Sequence, residues 1–348
     1  MRSTIGLLNR RVWSAALLAA LAAGGCDLMK KPGASKKDEP GTSSATIDFV
    51  PFDERNGGEE YNASGVVALG DSRLLFCDNN SSDALFELTL GEDGRKKGAL
   101  TRRPLEGLAP NAVDDFEDMA LVDVAGRRYA VVTSSMHVKK AKKENVEVAP
   151  SGLVRVAIEP EGRLRAETMA GFREWLVGAY PELAAAANEE PDDEGLNIEG
   201  LAWDPKRGAL LFGVRSPAPG GRPIVLPVKV RDMAGPWSTS ALEALPAVAL
   251  SLDSGEGPVG IRGLCHDPAR NVFLVLAGNA TSESDAPFAL YSWDGEPEGV
   301  VKRLDATFAK KTKPEGLTRA TVGGKTATVV VDDAGGFRVL WDDLYPLE

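Results

Sequence analysis

Four charged side chains stand at the heads of apolar runs: Glu117 in FEDMALVD, Glu199 in NIEGLAWDP, Arg262 in IRGLCHDP and Glu315 in PEGLTRA, separated by 82, 63 and 53 residues. If the fold brings them together, three carboxylates repel one another and gain proton affinity, and a bound cation would relieve the repulsion. Calcium suits an oxygen-rich set with Glu117, Glu199 and Glu315 as ligands, although no EF-hand spacing is present. Arg215, in FGVRSP, could hold a carboxylate or phosphate through its planar fork, or hold Glu199 in place. The bland alternative needs no ligand: the glutamates pair with Arg262 and join neighbouring units. His137, after VVTSSM, could serve as general base, ligand contact or loop hydrogen bonder, whereas His266 in LCHDP suits a turn. No GxSxG elbow, P-loop or dinucleotide fingerprint occurs, which disfavours hydrolase chemistry of those kinds.

The elements that must position these residues repeat with them. After each charged head comes a short strand, a turn with Asp, Gly or Pro, and a second apolar run: SRLLFCDN, RRYAVVTSS, GALLFGVRS, NVFLVLAGN and TATVVVDDA. A third run follows in each copy: ALFELTL, GLVRVAIE, RPIVLPVKV, FALYSWD and FRVLWDD. A weaker first copy begins near Ser64. Units of three or four strands cannot bury both faces alone, so the repeat predicts an all-β fold, a single β-propeller of five blades (six as the alternative) over residues 46–348. SATIDFVPF has the alternation needed to pair with the last unit and close the ring. Gly200, Gly263 and Gly316 would relieve crowding where each strand enters the core. Two insertions interrupt the pattern. Met136 to Pro150, with Lys139, Lys140, Lys142 and Lys143, reads as a solvated charged loop, and Ala170 to Glu190 as a short helical insertion broken near Pro181. The acidic run Asp192, Asp193 and Glu194 that follows reads as a loop that could offer oxygen ligands.

The N-terminus precedes this body with an export signal. Arg2, Arg10 and Arg11 lead into an apolar run that ends in small residues at Cys26. Residues 1–25 therefore read as a lipoprotein signal peptide, Cys26 as the lipidated residue, and 26–45 as a flexible tether rich in Lys, Pro, Gly and Ser. The expected place is the bacterial cell envelope, lipid-anchored and extracytoplasmic. Cys77 and Cys265 are expected as separate buried thiols rather than a bridge. A net charge of −11 argues against a broad nucleic-acid footprint.

DDFEDMALV, RRYAVVTSSMH, LNIEGLAWDP with LLFGVRSP, GIRGLCHDP and KPEGLTR together resemble an uncharacterised bacterial family of propeller-like domains of unknown function, over roughly residues 60–345. The chain also looks distantly similar to esterase-like phytase propeller domains, whose EGL-type segments draw attention to Glu199 and Glu315. It departs from that pattern where Asp118 replaces the glycine after Glu117 and Arg262 replaces a glutamate. The expected function is a membrane-tethered extracytoplasmic binding or scaffold module, with a polar site of Glu117, Glu199, Arg215, Arg262, Glu315 and His137 at a propeller channel mouth. Its partner would be a small anionic or carbohydrate ligand or an envelope protein. The alternative is a calcium-assisted phosphoesterase, in which carboxylates hold the metal and Arg215 or a lysine stabilises phosphate.

Overall fold

The computed structural model describes residues 46–142, 145–252, 257–282 and 284–343, all within one compact unit, Ser44–Glu348. The signal peptide, Cys26 and the tether lie outside the described residues. Five leading strands carry the repeat: β1 (Ala63–Gly70), β2 (Phe116–Val124), β3 (Asn197–Asp204), β4 (Val259–Asp267) and β5 (Pro314–Val322). Each pairs antiparallel with the run that follows it in sequence. Three of these hairpins turn on two residues that both have positive φ, Asp71-Ser72, Ala125-Gly126 and Gly323-Gly324, the backbone twist that a two-residue connection requires. The leading strands are buried along nearly their whole length, which explains why they read as apolar runs with little alternation.

The hydrogen bonding corrects the expectation of a single β-propeller with five separate blades, and equally its six-bladed alternative. The first two repeats are one sheet of eight strands, because Thr101–Glu106 and Leu164–Met169, the outer strands of the two units, pair in parallel at Leu164↔Leu105 and Arg165↔Glu106. The end strands of that sheet, β1 and β2, lie against each other, so it curls into a near-closed barrel. Three further large sheets follow, one of five strands built on β3, one of four on β4, and one of four on β5 that takes Val50–Pro51 as its edge, with two two-stranded ladders beside them, one pairing Thr46–Ile47 in parallel with Thr307–Phe308. Sequence periodicity marks strands but carries no information on whether two solvent-side edges will find each other, and that pairing sets the sheet count.

Apolar clusters fill the spaces between successive repeats. Phe52, Phe76, Phe86, Val331 and Phe337 join the first repeat to the last, while Leu211, Val225, Ile261, Val275 and Tyr291 join the third to the fourth. Each leading strand packs against the next, β1 also packs against β5, and glycine permits the approach. A Cβ on Gly263 would lie 2.1 Å from the Glu315 carbonyl oxygen, and one on Gly316 would lie 2.5 Å from Gly65 Cα. Gly263→Ala is therefore expected to cost roughly 1–3 kcal/mol or more in chemical denaturation, since backbone rather than a yielding side chain blocks the methyl. A loss within error of zero would show that β4 and β5 can separate at no cost.

The helical insertion is present as α1 (Phe172–Ala179) and two 3₁₀ turns, the first starting at Pro181, and a third 3₁₀ turn, Pro191–Asp193, takes up part of the acidic run read as a loop. Phe172, Leu176, Tyr180 and Leu183 bury against β3 and its neighbours, and Arg173 donates to the carbonyls of Met136 and Ala187. The other insertion is a hairpin, Val138–Lys142 with Asn145–Val148, where a loop was expected. Cys77 and Cys265 are buried free thiols. No helix among the described residues is long and apolar enough to cross a membrane.

Candidate functional site

The repeated charged position is a β-bulge. In β2 the ladder runs Phe116↔Ser134 and then Asp118↔Thr133, skipping Glu117. It skips Glu199 in β3 and Arg262 in β4 in the same way, and Arg215 is skipped on the strand facing β3. Ser64 is the matching residue of β1, and an extra residue in β5 falls at Glu315 and Gly316. A bulge frees one residue from the alternation of the pleat and re-aims its side chain. Charged side chains can thus stand at the head of buried strands and still turn out of the apolar layers.

These side chains meet. Arg262, 5% exposed, reaches Glu199 Oε2 with Nη1 at 2.9 Å and donates to Glu315 Oε1 with Nη2. Arg215 donates from Nη1 to Glu199 Oε1 at 2.7 Å, and Asn197 Nδ2 donates to the same oxygen at 2.9 Å. With Glu117 they form one wall of a cavity of about 830 Å³, whose other walls include Asn79, Asn279, Ser282, Ser284, Lys310 and Asp333. Glu315 Oε2, Arg215 Nε and Arg262 Nε are buried without a hydrogen-bond partner. Burial costs that a folded chain leaves unmet concentrate at functional positions.

The proton affinities follow from this crowding. Burial, then the charges of Asp115, Glu199 and Glu315, push the Glu117 carboxyl well above the usual carboxylate range, against the pull of Arg262. Burial raises Glu315 to about 8, with Arg262 opposing and Glu199 and Asp333 adding to the rise. Glu117 and Glu315 therefore hold their protons more tightly than an ordinary carboxyl, beside the doubly clamped Glu199.

His137 stands apart from the cavity wall but joins it through a residue the sequence reading missed. Its Nδ1 lies 2.6 Å from Ser135 Oγ and 3.0 Å from Asp115 Oδ2, and the charge of Asp115 is among those that raise Glu117. Although burial raises the Asp115 carboxyl, the hydrogen bonds from His137 and Ser135 hold it below the ordinary value. The three do not form a nucleophilic relay. Ser135 and Asp115 approach the same ring nitrogen, and Ser135 is only 1% exposed. No periodic signal could have found Asp115, which stands at positive φ just before β2 and next to the bulge that re-aims Glu117.

Asp118 was also missed, although its departure from the repeated glycine was visible. Its Oδ2 accepts from the amides of Leu201 at 2.7 Å and Leu264 at 3.2 Å, and its Oδ1 from Met119 at 2.8 Å. One carboxyl thereby ties β2 to β3 and β4 and fills the space between them, and burial pushes its proton affinity up against those amides.

The expected site at a propeller channel mouth is corrected accordingly: the first two repeats fuse into one eight-stranded sheet, no propeller channel exists among the described residues, and the buried Asp118 ties β2 to β3 and β4. The calcium-assisted phosphoesterase is corrected as well. The repulsion that was to call for a cation is met by the guanidiniums of Arg215 and Arg262, and among the described residues no group of three or more His, Cys, Asp or Glu side chains forms a metal site. Asp192, in the acidic run, caps the Ser282 amide at 2.9 Å. The basic insertion offers little as an anion cradle, since Lys139 Nζ is engaged by Asp114 at 2.7 Å.

A family described as "Protein of unknown function (DUF3616)" matches residues 180–336, a span that holds Glu199, Arg215, Arg262 and Glu315 but not Asp115, Glu117 or His137. That match corrects the expected propeller-like and phytase-like resemblance over residues 60–345, because it covers less of the chain and its description names neither fold nor activity. No curated protein matches. Among solved structures, the chain is similar at 11% identity and TM-score 0.38 to a structural-genomics protein of unknown function from Bacteroides thetaiotaomicron, covering 84% of this chain and 60% of that one. It is similar at 14% and 0.38 to the Malassezia sympodialis allergen Mala s 1, covering 76% and 77%. It is similar at 10% and 0.44 to the GH43 protein BlXynB of Bacillus licheniformis, covering 78% and 48%. Likenesses at these scores bear on neither fold nor activity.

Proposed function

We propose that this protein performs acid–base chemistry on a small, oxygen-rich molecule held in the cavity, with Glu117 and Glu315 as the proton-carrying groups. The observation that carries the reading is the pair of buried carboxyls, Glu117 and Glu315, at the wall of an open cavity beside a third carboxylate held by two guanidiniums, an environment that raises the proton affinity of both. An acid whose proton affinity lies near the working pH is the form of carboxyl that donates in a transition state and recovers its proton afterwards. The wall mixes the guanidiniums of Arg215 and Arg262, the hydroxyls of Ser282 and Ser284 and the Lys310 ammonium with the carboxyl groups of Asp285 and Asp333. A small ligand that carries both hydroxyl and carboxylate groups, a hydroxy acid or sugar acid, has partners for each.

Infrared spectroscopy tests the proton state directly. Protonated-carboxyl bands are expected at pH 7, one lost in Glu117→Gln and another in Glu315→Gln. Incubation with a panel of hydroxy and keto acids in heavy water should then give protein-dependent deuterium incorporation that both variants abolish. Absence of both bands overturns the reading. The same carboxyls set a pH dependence of stability. A folded proton affinity of about 8 against an ordinary 4.5 means that the native state binds the extra proton, so Glu315 favours the fold below about pH 4.5 and that contribution is lost as pH rises to about 8. Wild type should weaken on the order of 4 kcal/mol across that window, and Glu315→Gln should flatten the curve.

A further inference from the structure

We infer that the cavity continues into a second subsite, so that the molecule it takes is an acidic disaccharide, a sugar acid joined to a second sugar unit. This deepens the acid–base reading and rests on its ligand class. The observation is a pair of hollows with a shared wall. The cavity of about 830 Å³ and a neighbouring one of about 450 Å³ have Lys313 and Asp333 in common, and the consecutive residues Asn79 and Asn80 line one each. Each hollow alone has the roughly 300–1,000 Å³ of a ligand pocket, and a molecule that crosses Lys313 and Asp333 occupies both.

The shared wall is polar and held in place. Asn62 Nδ2 donates to Asp333 Oδ1 at 2.7 Å and to the Asp333 carbonyl at 3.0 Å, and Asn80 Nδ2 donates to Asn62 Oδ1. Lys313 Nζ lies 3.2 Å from Asp333 Oδ2. The Asn79 amide donates to the Asn62 carbonyl at 3.0 Å and the Asn80 amide to Asp78 Oδ1 at 2.9 Å, so both asparagines are fixed to the first repeat, while Asp333 follows a strand of the last. A sugar hydroxyl both donates and accepts, and a wall of amide, carboxylate and ammonium groups answers it in both senses.

The first hollow favours a ring over a short hydroxy acid. Among its lining residues are Phe288, whose ring centroid lies 5.8 Å from the Arg262 guanidinium carbon, and Phe308, which stacks on Phe49 at 6.3 Å. A pyranose has an apolar C–H face for such rings, and hydroxyls around its edge to meet Arg262 Nε and Glu315 Oε2, buried atoms without a partner. A short hydroxy acid has no face of that size. Lys310 in the first hollow, Lys311 in the second and Lys313 in both set ammonium groups along the whole path, which fits an acidic rather than a neutral sugar.

Calorimetric titration of the purified protein with glucuronate, galacturonate and mannuronate, and with disaccharides built from each, tests the subsite. At least one disaccharide is expected to bind at least about tenfold tighter than its own monosaccharide, the gain of one charge-assisted contact. Its neutral counterpart should bind more weakly. Lys311→Ala, at an exposed position of the second hollow, should erase the disaccharide's advantage, and Lys311→Glu should reverse it. Disaccharides no tighter than their monosaccharides, an advantage that survives Lys311→Ala, a neutral counterpart that binds as tightly, or no binding by any member of the panel each overturn the inference. The carboxyl bands of Glu117 and Glu315 report separately. Their absence removes the acid–base reading even where the disaccharide advantage is found, and their presence keeps that reading where the advantage fails.

Discussion

Arg262→Met is expected to destabilise the protein by about 3–5 kcal/mol at pH 8, the largest loss from any charged residue of the site. The side chain is 5% exposed and pairs with two carboxylates from different strands, Glu199 on β3 and Glu315 on β5, so its removal strands Glu315 and leaves Glu199 to Arg215 and Asn197 alone. A lone buried charge cannot be resolvated, and the remaining escape is protonation. The loss should therefore shrink as pH falls and Glu315 takes up a proton. Glu199→Gln and Glu315→Gln, added to Arg262→Met, should recover much of the stability at pH 8. Urea denaturation at several pH values measures this. A pH-independent loss below about 1 kcal/mol would show that Arg262 is not holding the carboxylates.

The second large effect belongs to Asp118. Replacing it by Ala leaves the amides of Leu201, Leu264 and Met119 without their acceptor inside the fold, each an uncompensated donor costing about 1–3 kcal/mol. A total loss on the order of 4 kcal/mol is expected. The distinguishing readout is local: amide hydrogen exchange at Leu201 and Leu264 should accelerate well beyond the rest of β3 and β4. Unchanged protection at those two amides would mean that the carboxyl does not bind the strands together.

Both predictions concern residues that differ in how well the sequence exposed them. Arg262 was legible because it stands at the fixed position of a repeated motif, and the repeat also revealed Glu117, Glu199 and Glu315. Asp118 appeared only as a flaw in that motif. Its role depends on two amides 83 and 146 residues away, a relation that no local pattern encodes. His137 was visible as a lone imidazole, while its contact with Asp115 needed the turn at Met136 to be folded.

By itself the sequence determined the strands, their hairpins, the helical insertion and the charged heads of the leading strands, because burial and turn chemistry write periodic, short-range signals. Tertiary structure alone decided that the outer strands of the first two repeats fuse into an eight-stranded sheet, that bulges turn the charged residues out of their ladders, and that guanidiniums meet the carboxylates. Edge pairing, bulge direction and ion-pair geometry depend on which distant segments become neighbours, and only the closed packing of the five leading strands sets that.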